Sequence, residues 1–121
     1  MEMREEKIEA MKAVVDYNPR LLRGLSNVAQ ELKDDRKEDT DEYLKAVIDG
    51  VNWEIQILNR TMDLVNENDE QVNEAQSNEI FKSFSAAYQS KDDSKIAASI
   101  EQDLIPFFER FGEIAKALAE E

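Results

Sequence analysis

The stretch LKAVIDGVNWEIQILNRTMDLV, residues 44–65, carries two apolar stripes and decides the fold. The main stripe alternates by four and three residues, which places its side chains on one face of an α-helix. Its members are Leu44, Ile48, Val51, Ile55, Leu58, Met62 and Val65. The second stripe consists of Val47, Trp53, Ile57 and Leu64. An apolar arc wider than half the circumference needs two or more neighbours. We therefore expect a helix over residues 41–66 in the middle of a bundle, where Gly50 lets another backbone come close.

Three further amphipathic segments flank this helix. They span about residues 2–35, residues 72–89 and residues 93–119, and the third segment is weakly apolar before Ser77. The inner positions of the first segment are Ile8, Met11, Val15, Leu22, Leu25, Ala29 and Leu32, with Asn18 as a skipped position. Those of the last are Ala97, Ile100, Leu104, Phe107, Phe111, Ile114 and Leu118, with Phe108 broadening the stripe. Short turns join the segments. The sequence predicts an all-α protein, an antiparallel four-helix bundle formed by a single domain over residues 1–121.

Two prolines fall inside predicted helices. Asn18-Pro19 is a signal for a helix cap and restart, yet the apolar phase continues across it. We expect either two collinear helices or one helix kinked near Val15, because Pro19 has no N–H to offer its carbonyl. Pro106 likewise predicts a bend near Gln102. The first and last helices should thus be bent or interrupted at the prolines.

Polar residues before two of the segments predict helix starts. Asp39 can cap the second helix while Glu42, three residues on, reaches back to it. Asp92 or Asp93 can cap the last helix.

The composition excludes several classes of site. The chain has no cysteine and no histidine. This excludes disulfides and thiolate sites, and it removes the commonest general base and metal ligand. A carboxylate di-metal centre in a bundle uses Glu-x-x-His on two helices. The three glycines are too far apart to form a phosphate loop. We therefore expect no enzyme, no catalytic residue, no metal site and no cofactor.

The net charge of −13 restricts the partners. A chain this acidic repels nucleic-acid phosphates and anionic membrane surfaces. No apolar run approaches the roughly 20 residues of a membrane span, and the first residues, MEMREEKIEAMK, lack the apolar core of a signal peptide. We expect a cytoplasmic protein that binds neither nucleic acid nor membrane.

Candidate interface or pocket residues lie on the second and last helices. Glu54 falls inside the apolar arc, so it either reaches the rim to pair with a lysine, arginine or tyrosine hydroxyl, or lines a pocket or interface. Trp53, beside Ile57, is either a core anchor or the anchor of an interface. Phe107 and Phe108 are either core residues or part of a ligand pocket.

The segment AAYQSKDDSKIAASIEQDLIPFFERF, residues 86–111, has a recognisable order of helix end, turn, apolar helix and Ile-Pro. It resembles small uncharacterised helical proteins of Firmicutes bacteria, as do GLSNVAQEL and VIDGVNWEIQIL earlier in the chain. The resemblance implies a helical bundle of no known activity.

Two functions fit these features. The first is a non-enzymatic, acidic protein-interaction module, an adaptor or chaperone-like protein that binds another protein or a second copy of itself through an amphipathic helix. The apolar strip would lie on the Trp53 side of the second helix or on the third helix. The second is a small-ligand-binding bundle with a pocket near the Pro106 kink, lined by Phe107, Phe108 and Trp53, with Glu54 as a further candidate.

Overall fold

Four helices form the fold of the computed structural model, which describes residues 2–34, 36–67 and 70–120. Helix α1 spans Glu2–Asp34, α2 spans Thr40–Val65 and α3 spans Glu74–Ser90. The fourth helix, residues 93–119, consists of α4 (Asp93–Ser99), a π segment (Ile100–Leu104) and α5 (Ile105–Ala119). No strand occurs among the described residues. The prediction of an all-α four-helix bundle is confirmed.

Paired side chains show that α1 and α2 run in opposite directions. Near the start of α1, Lys7 Nζ lies 2.6 Å from Asp63 Oδ2 near the end of α2. Near the other end of the pair, the Thr40 hydroxyl donates a hydrogen bond of 2.8 Å to Glu31 Oε1. Residues close to the start of one helix thus meet residues close to the end of the other.

The fourth helix lies antiparallel to both α1 and α3. Lys33 at the end of α1 pairs with Glu101 at 2.9 Å, whereas Asn18 in the middle of α1 reaches the Phe108 carbonyl. On the other side, Phe81 of α3 packs against Phe107.

Helix α1, rather than α2, is the central helix of the bundle. Its backbone packs against α2 and along the whole fourth helix, whereas α2 packs mainly on α1 and touches α5. Among the described residues, the backbone of α3 comes close only to α4 and the π segment, so the backbones of α2 and α3 lie further apart. The expected middle position of α2 is wrong. Its wide apolar arc is explained by α1 on one side and α5 on the other.

Helix α1 continues without interruption through Pro19. Asn18 does not cap a new helix; its side chain points into the core and is 5% exposed. The position that the apolar pattern skips is therefore a core position occupied by an amide. A bend at Pro19 remains a prediction.

The π segment lies where the sequence predicts a bend at Pro106. The Ile105 N–H donates to the Ile100 carbonyl, five residues back instead of four. A π turn holds an extra residue. It widens the helix around Gln102, whose carbonyl would collide with the Pro106 ring in a regular helix. The fourth helix therefore passes its proline without a break.

The π segment also changes which residues of the fourth helix are buried. Core positions recur every four residues at Ile96, Ile100, Leu104 and Phe108. In a regular α-helix, three steps of four residues would turn the side chain about 120° away from the starting face. The extra residue in the π turn compensates for most of this rotation. Ala115 is consequently fully buried, whereas Phe107, Ile114 and Leu118 are only half-buried. Beyond Leu104 the predicted stripe is therefore right at Phe111, whereas Phe107, Ile114 and Leu118 lie at the edge of the core because a constant helical period was assumed.

The helix starts differ in part from their predicted form. Asp39 occupies the cap position of α2, but its side chain makes no capping hydrogen bond. Instead, the Thr40 hydroxyl accepts a 2.7 Å hydrogen bond from the Lys37 N–H. Asp92 caps α4 as expected, accepting from the Ser94 and Lys95 N–H groups.

Candidate functional site

Two consecutive residues of α1 face two consecutive residues of α2 where the helices meet. Tyr17 and Trp53 lie toward solvent, and their rings contact edge to face at 5.3 Å between centroids. Asn18 and Glu54 lie beneath them in the core. We call these four residues the crossing cluster. Each helix thus contributes an aromatic ring outside and a polar side chain inside.

The inner pair joins three helices. Asn18 Nδ2 donates to Glu54 Oε1 at 3.1 Å and to the Phe108 carbonyl at 3.0 Å. An asparagine amide has two N–H donors, so one side chain of α1 satisfies one acceptor on α2 and one on α5. A buried polar group with few possible partners restricts how helices can align.

Glu54 carries the most unusual environment in the described chain. Its side chain is 0% exposed, and Glu54 Oε2 has no hydrogen-bond partner among the described residues. Burial raises its pKa to about 7, although the hydrogen bond from Asn18 favours the charged form. The expectation that Glu54 reaches the rim and pairs with a cation or a tyrosine is wrong, because an asparagine on the inner face of α1 holds it in the core.

Two glycines make room for the crossing cluster. A β-carbon at Gly50 would overlap the Tyr17 hydroxyl, and one at Gly112 would overlap the Asn18 side chain. Gly50 therefore admits a tyrosine ring rather than a neighbouring backbone. Gly112 of α5 lets the Asn18 amide lie directly on the helix backbone.

Trp53 is the most exposed large apolar side chain of the described residues. It is 39% exposed, whereas Ile57 and the other members of its stripe are covered by α1 and the rest of the core. Tyr17 is half-buried, and burial together with the nearby Glu54 raises its pKa. The chain thus covers its second apolar stripe itself, with Trp53 as the exception.

Shallow pockets lie on both sides of Trp53 along the outer groove between α1 and α2. One, of about 220 Å³, includes Tyr17, Arg20, Arg23 and Tyr43. The other, of about 350 Å³, includes Ala10 and Arg60. Ala10 lies about two turns from Tyr17 on α1, and Arg60 lies about two turns from Trp53 on α2. We call this groove, with Trp53 at its centre, the α1–α2 face.

Three of the six arginines of the chain border this face. Arg20, Arg23 and Arg60 make no hydrogen bond or ion pair within the described residues. By contrast, Arg36 is bound to Asp93 and Asp41, and Arg110 donates to the Gln71 carbonyl. The guanidinium groups on the α1–α2 face therefore have no protein acceptor within the described residues.

The five predicted site residues form two groups. Trp53, Glu54 and Ile57 lie at the α1–α2 contact. Phe107 and Phe108 pack edge to face against each other, with 5.1 Å between ring centroids. Phe108 is fully buried, and its carbonyl accepts a hydrogen bond from Asn18. Sequence reasoning missed Tyr17 and Asn18. The one available signal for Asn18 was its place in the apolar alternation of α1.

Within the described ranges, no three acidic side chains are grouped so that they could hold a metal ion. No described helix combines the length and the apolar character needed to cross a membrane. A family model described as Domain of unknown function (DUF8042) matches residues 9–114. No curated protein matches the chain, and neither does any solved structure.

Proposed function

We propose that this protein is a non-enzymatic protein-binding module whose docking surface is the α1–α2 face. The chain belongs to the DUF8042 family of domains of unknown function. The observation that carries the proposal is the 39% exposure of Trp53, the only tryptophan. Its contact with Tyr17 holds the ring in place. Tryptophan, tyrosine and arginine are the residues most enriched among those that dominate binding energy at interfaces, and all three types lie here.

The partner that this face fits is an amphipathic helix with carboxylates toward both ends. Arg20 and Arg23 lie on one side of Trp53, and Arg60 lies on the other. From Tyr43 to Arg60, α2 extends roughly 25 Å at 1.5 Å per residue. A docked helix of about five turns would place its apolar side chains against Trp53 and its acidic ones against the arginines.

The charge of the whole chain does not prevent an acidic partner from binding. The net charge is −13, but at physiological salt the interaction between exposed charges is largely screened beyond about 8 Å. The arginines in direct contact with the partner therefore act against only the nearby acids, such as Glu6, which lines the same pocket as Arg60. Association should become faster as salt rises from low ionic strength, because salt screens the long-range repulsion first.

The state of Glu54 supports binding rather than catalysis. A general base must come within hydrogen-bond reach of a substrate, and this carboxyl is 0% exposed beneath two aromatic rings. We also propose that the protein is cytoplasmic and belongs with the helical proteins of Firmicutes bacteria that its sequence resembles.

The test is photocrosslinking in cells of the source organism. A photoreactive residue replaces Ala46, which is exposed on the α1–α2 face, or Ala86, which is exposed on α3 as a matched control. We expect the Ala46 probe, and not the Ala86 probe, to capture one protein. The captured peptide should be an acidic amphipathic helix, and Trp53→Ala should abolish the adduct while circular dichroism shows an unchanged fold.

Three outcomes would overturn the proposal. One is an adduct between two copies of this chain, which would make the face a homodimer interface. Another is a similar adduct from both probe positions, and the third is no adduct from Ala46 at all.

A further inference from the structure

A second pocket, of about 600 Å³, lies at the end of the bundle where α2 and the fourth helix begin. It lies between α2 and α3, whose backbones do not come close to each other in the described chain. Its lining includes Leu44 and Lys45 of α2, Tyr88 near the end of α3, Lys91 of the turn and Ile96 of α4. Its volume falls within the range of about 300–1,000 Å³ typical of small-molecule sites.

One arginine closes a wall of this pocket. Arg36 Nε lies 2.7 Å from Asp93 Oδ2, and Arg36 Nη2 lies 3.0 Å from Asp41 Oδ1. These hydrogen bonds lower the pKa of Asp93 and raise that of Arg36. The loop before α2 is thereby tied to the first turns of both α2 and α4, and the two carboxylates are already occupied by a cation.

Two lysines of the pocket remain unpaired. Neither Lys45 nor Lys91 makes a hydrogen bond or ion pair through its ammonium group in the part of the chain that the structure describes. With Arg36, Asp41 and Asp93, they give the lining a net charge of about +1, in a chain with a net charge of −13. The pocket is therefore a local exception to the charge of the protein.

Lys91 holds its position at a cost in backbone energy. Its φ is 58°, in the left-handed region, and it is the only non-glycine residue with positive φ among those described. This helix-end position is usually occupied by glycine or asparagine, because the β-carbon of other residues comes too close to the following carbonyl oxygen in this conformation. A strained residue that presents a cation to a pocket is a reason to look for a ligand.

Apart from Gln89, the remaining surface of the pocket is largely apolar and includes a flat wall. Leu44 and Ile96 are each 3% exposed and form its floor. Tyr88 is 37% exposed, and its ring lies nearly parallel to that of Phe84, at 20° and 6.4 Å between centroids. A planar molecule can stack against Tyr88 while an anionic group reaches the lysines.

We propose that this pocket binds a small aromatic carboxylate. The carboxylate lies between the ammonium groups of Lys45 and Lys91, and the aromatic body lies over the Leu44–Ile96 floor against Tyr88. This site shares no lining residue with the α1–α2 face. It therefore stands or falls independently of the proposed function.

The experiment is an NMR titration of the full chain with three probes: 1-naphthoate, its neutral analogue 1-naphthamide, and inorganic phosphate. We expect 1-naphthoate to give saturable shifts in the amides of residues 41–45 and 88–96. Replacement of both lysines, by Lys45→Ala with Lys91→Gly, should weaken binding about tenfold, equivalent to 1.4 kcal/mol. Glycine suits the left-handed position, so this variant should keep the fold.

Matched variants separate this site from general binding to a charged surface. Lys82→Ala, on the exposed side of α3, should bind as the parent chain does. Tyr88→Phe should keep the affinity, and Tyr88→Ala should lower it. The proposal is overturned if 1-naphthoate gives no saturable shifts, if 1-naphthamide or phosphate binds equally well, or if the double lysine variant binds unchanged.

Discussion

Replacement of Glu54 by glutamine should change how the stability of the protein depends on pH. The carboxyl is fully buried, and its pKa is raised from 4.5 to about 7. Because the folded protein holds the proton more tightly than the unfolded chain, Glu54 contributes most to stability below pH 4.5. That contribution decreases as the pH rises through 7. Glutamine has nearly the same shape and never ionises, so the variant lacks this loss.

The expected magnitude follows from the two pKa values. At 1.36 kcal/mol for each pKa unit, the full penalty for ionised Glu54 is ~3 kcal/mol at high pH. Between pH 5.5 and 8.5, which avoids the pI of about 4.4, the penalty grows by about 2 kcal/mol. The free energy of unfolding of Glu54→Gln, relative to the parent chain, should therefore rise by about 2 kcal/mol over this range.

Urea unfolding at several pH values measures this difference directly. Circular dichroism reports helix loss, and fluorescence of the single tryptophan reports the crossing cluster beside Glu54. Glu109→Gln, at an exposed position of α5, is the control and should change stability by the same amount at every pH. The prediction is wrong if the free energy of unfolding of Glu54→Gln differs from that of the parent chain by the same amount at every pH. The Glu54 carboxyl would then titrate alike in the folded and unfolded states.

Three further predictions concern the packing around this group. Asn18→Ala should lower the free energy of unfolding by ~2–4 kcal/mol, because the Glu54 carboxylate and the Phe108 carbonyl lose their donor. The loss should be larger at pH 8.5 than at pH 5.5, and an equal loss in urea unfolding at both pH values would contradict this. Gly112→Ala should cost ~1–3 kcal/mol in thermal unfolding because it displaces Asn18. Its control Gly24→Ala, where a β-carbon would lie 3.2 Å from a Val47 methyl, should cost less. Phe108→Ala should lower the free energy of unfolding in urea by ~3–5 kcal/mol, and Phe107→Ala should lower it clearly less. The reverse order would mean that Phe107, as the apolar spacing predicts, is the core residue.

The helices could be predicted from the sequence because apolar spacing is a local property. The alternation in 44–65 required a helix with neighbours on two sides, and α2 spans Thr40–Val65 with its second stripe largely covered. The phase of the fourth helix beyond Ile100 could not be predicted by the same rule. A π turn depends on what the helix packs against as well as on Pro106, and the pattern assumes one constant period.

The crossing cluster was only half predictable, because its parts lie far apart in the chain. Glu54 was identified as a carboxyl inside an apolar arc, but its partner Asn18 lies 36 residues earlier. No local rule joins the two. The sequence likewise shows where the arginines are without showing which of them bind carboxylates in the folded chain. Arg36 does so, and Arg20 on the α1–α2 face does not.

The π segment lets the fourth helix accommodate a change of chain length at one point. Deletion of a single residue within 100–104 would let the backbone return to a regular α-helix while residues 105–119 kept their orientation relative to 93–99. Phe108 and Phe111 would then stay in the core. A regular α-helix of unchanged length over 100–104 would instead rotate residues 105–119 by about 100° and turn both phenylalanines out of the core.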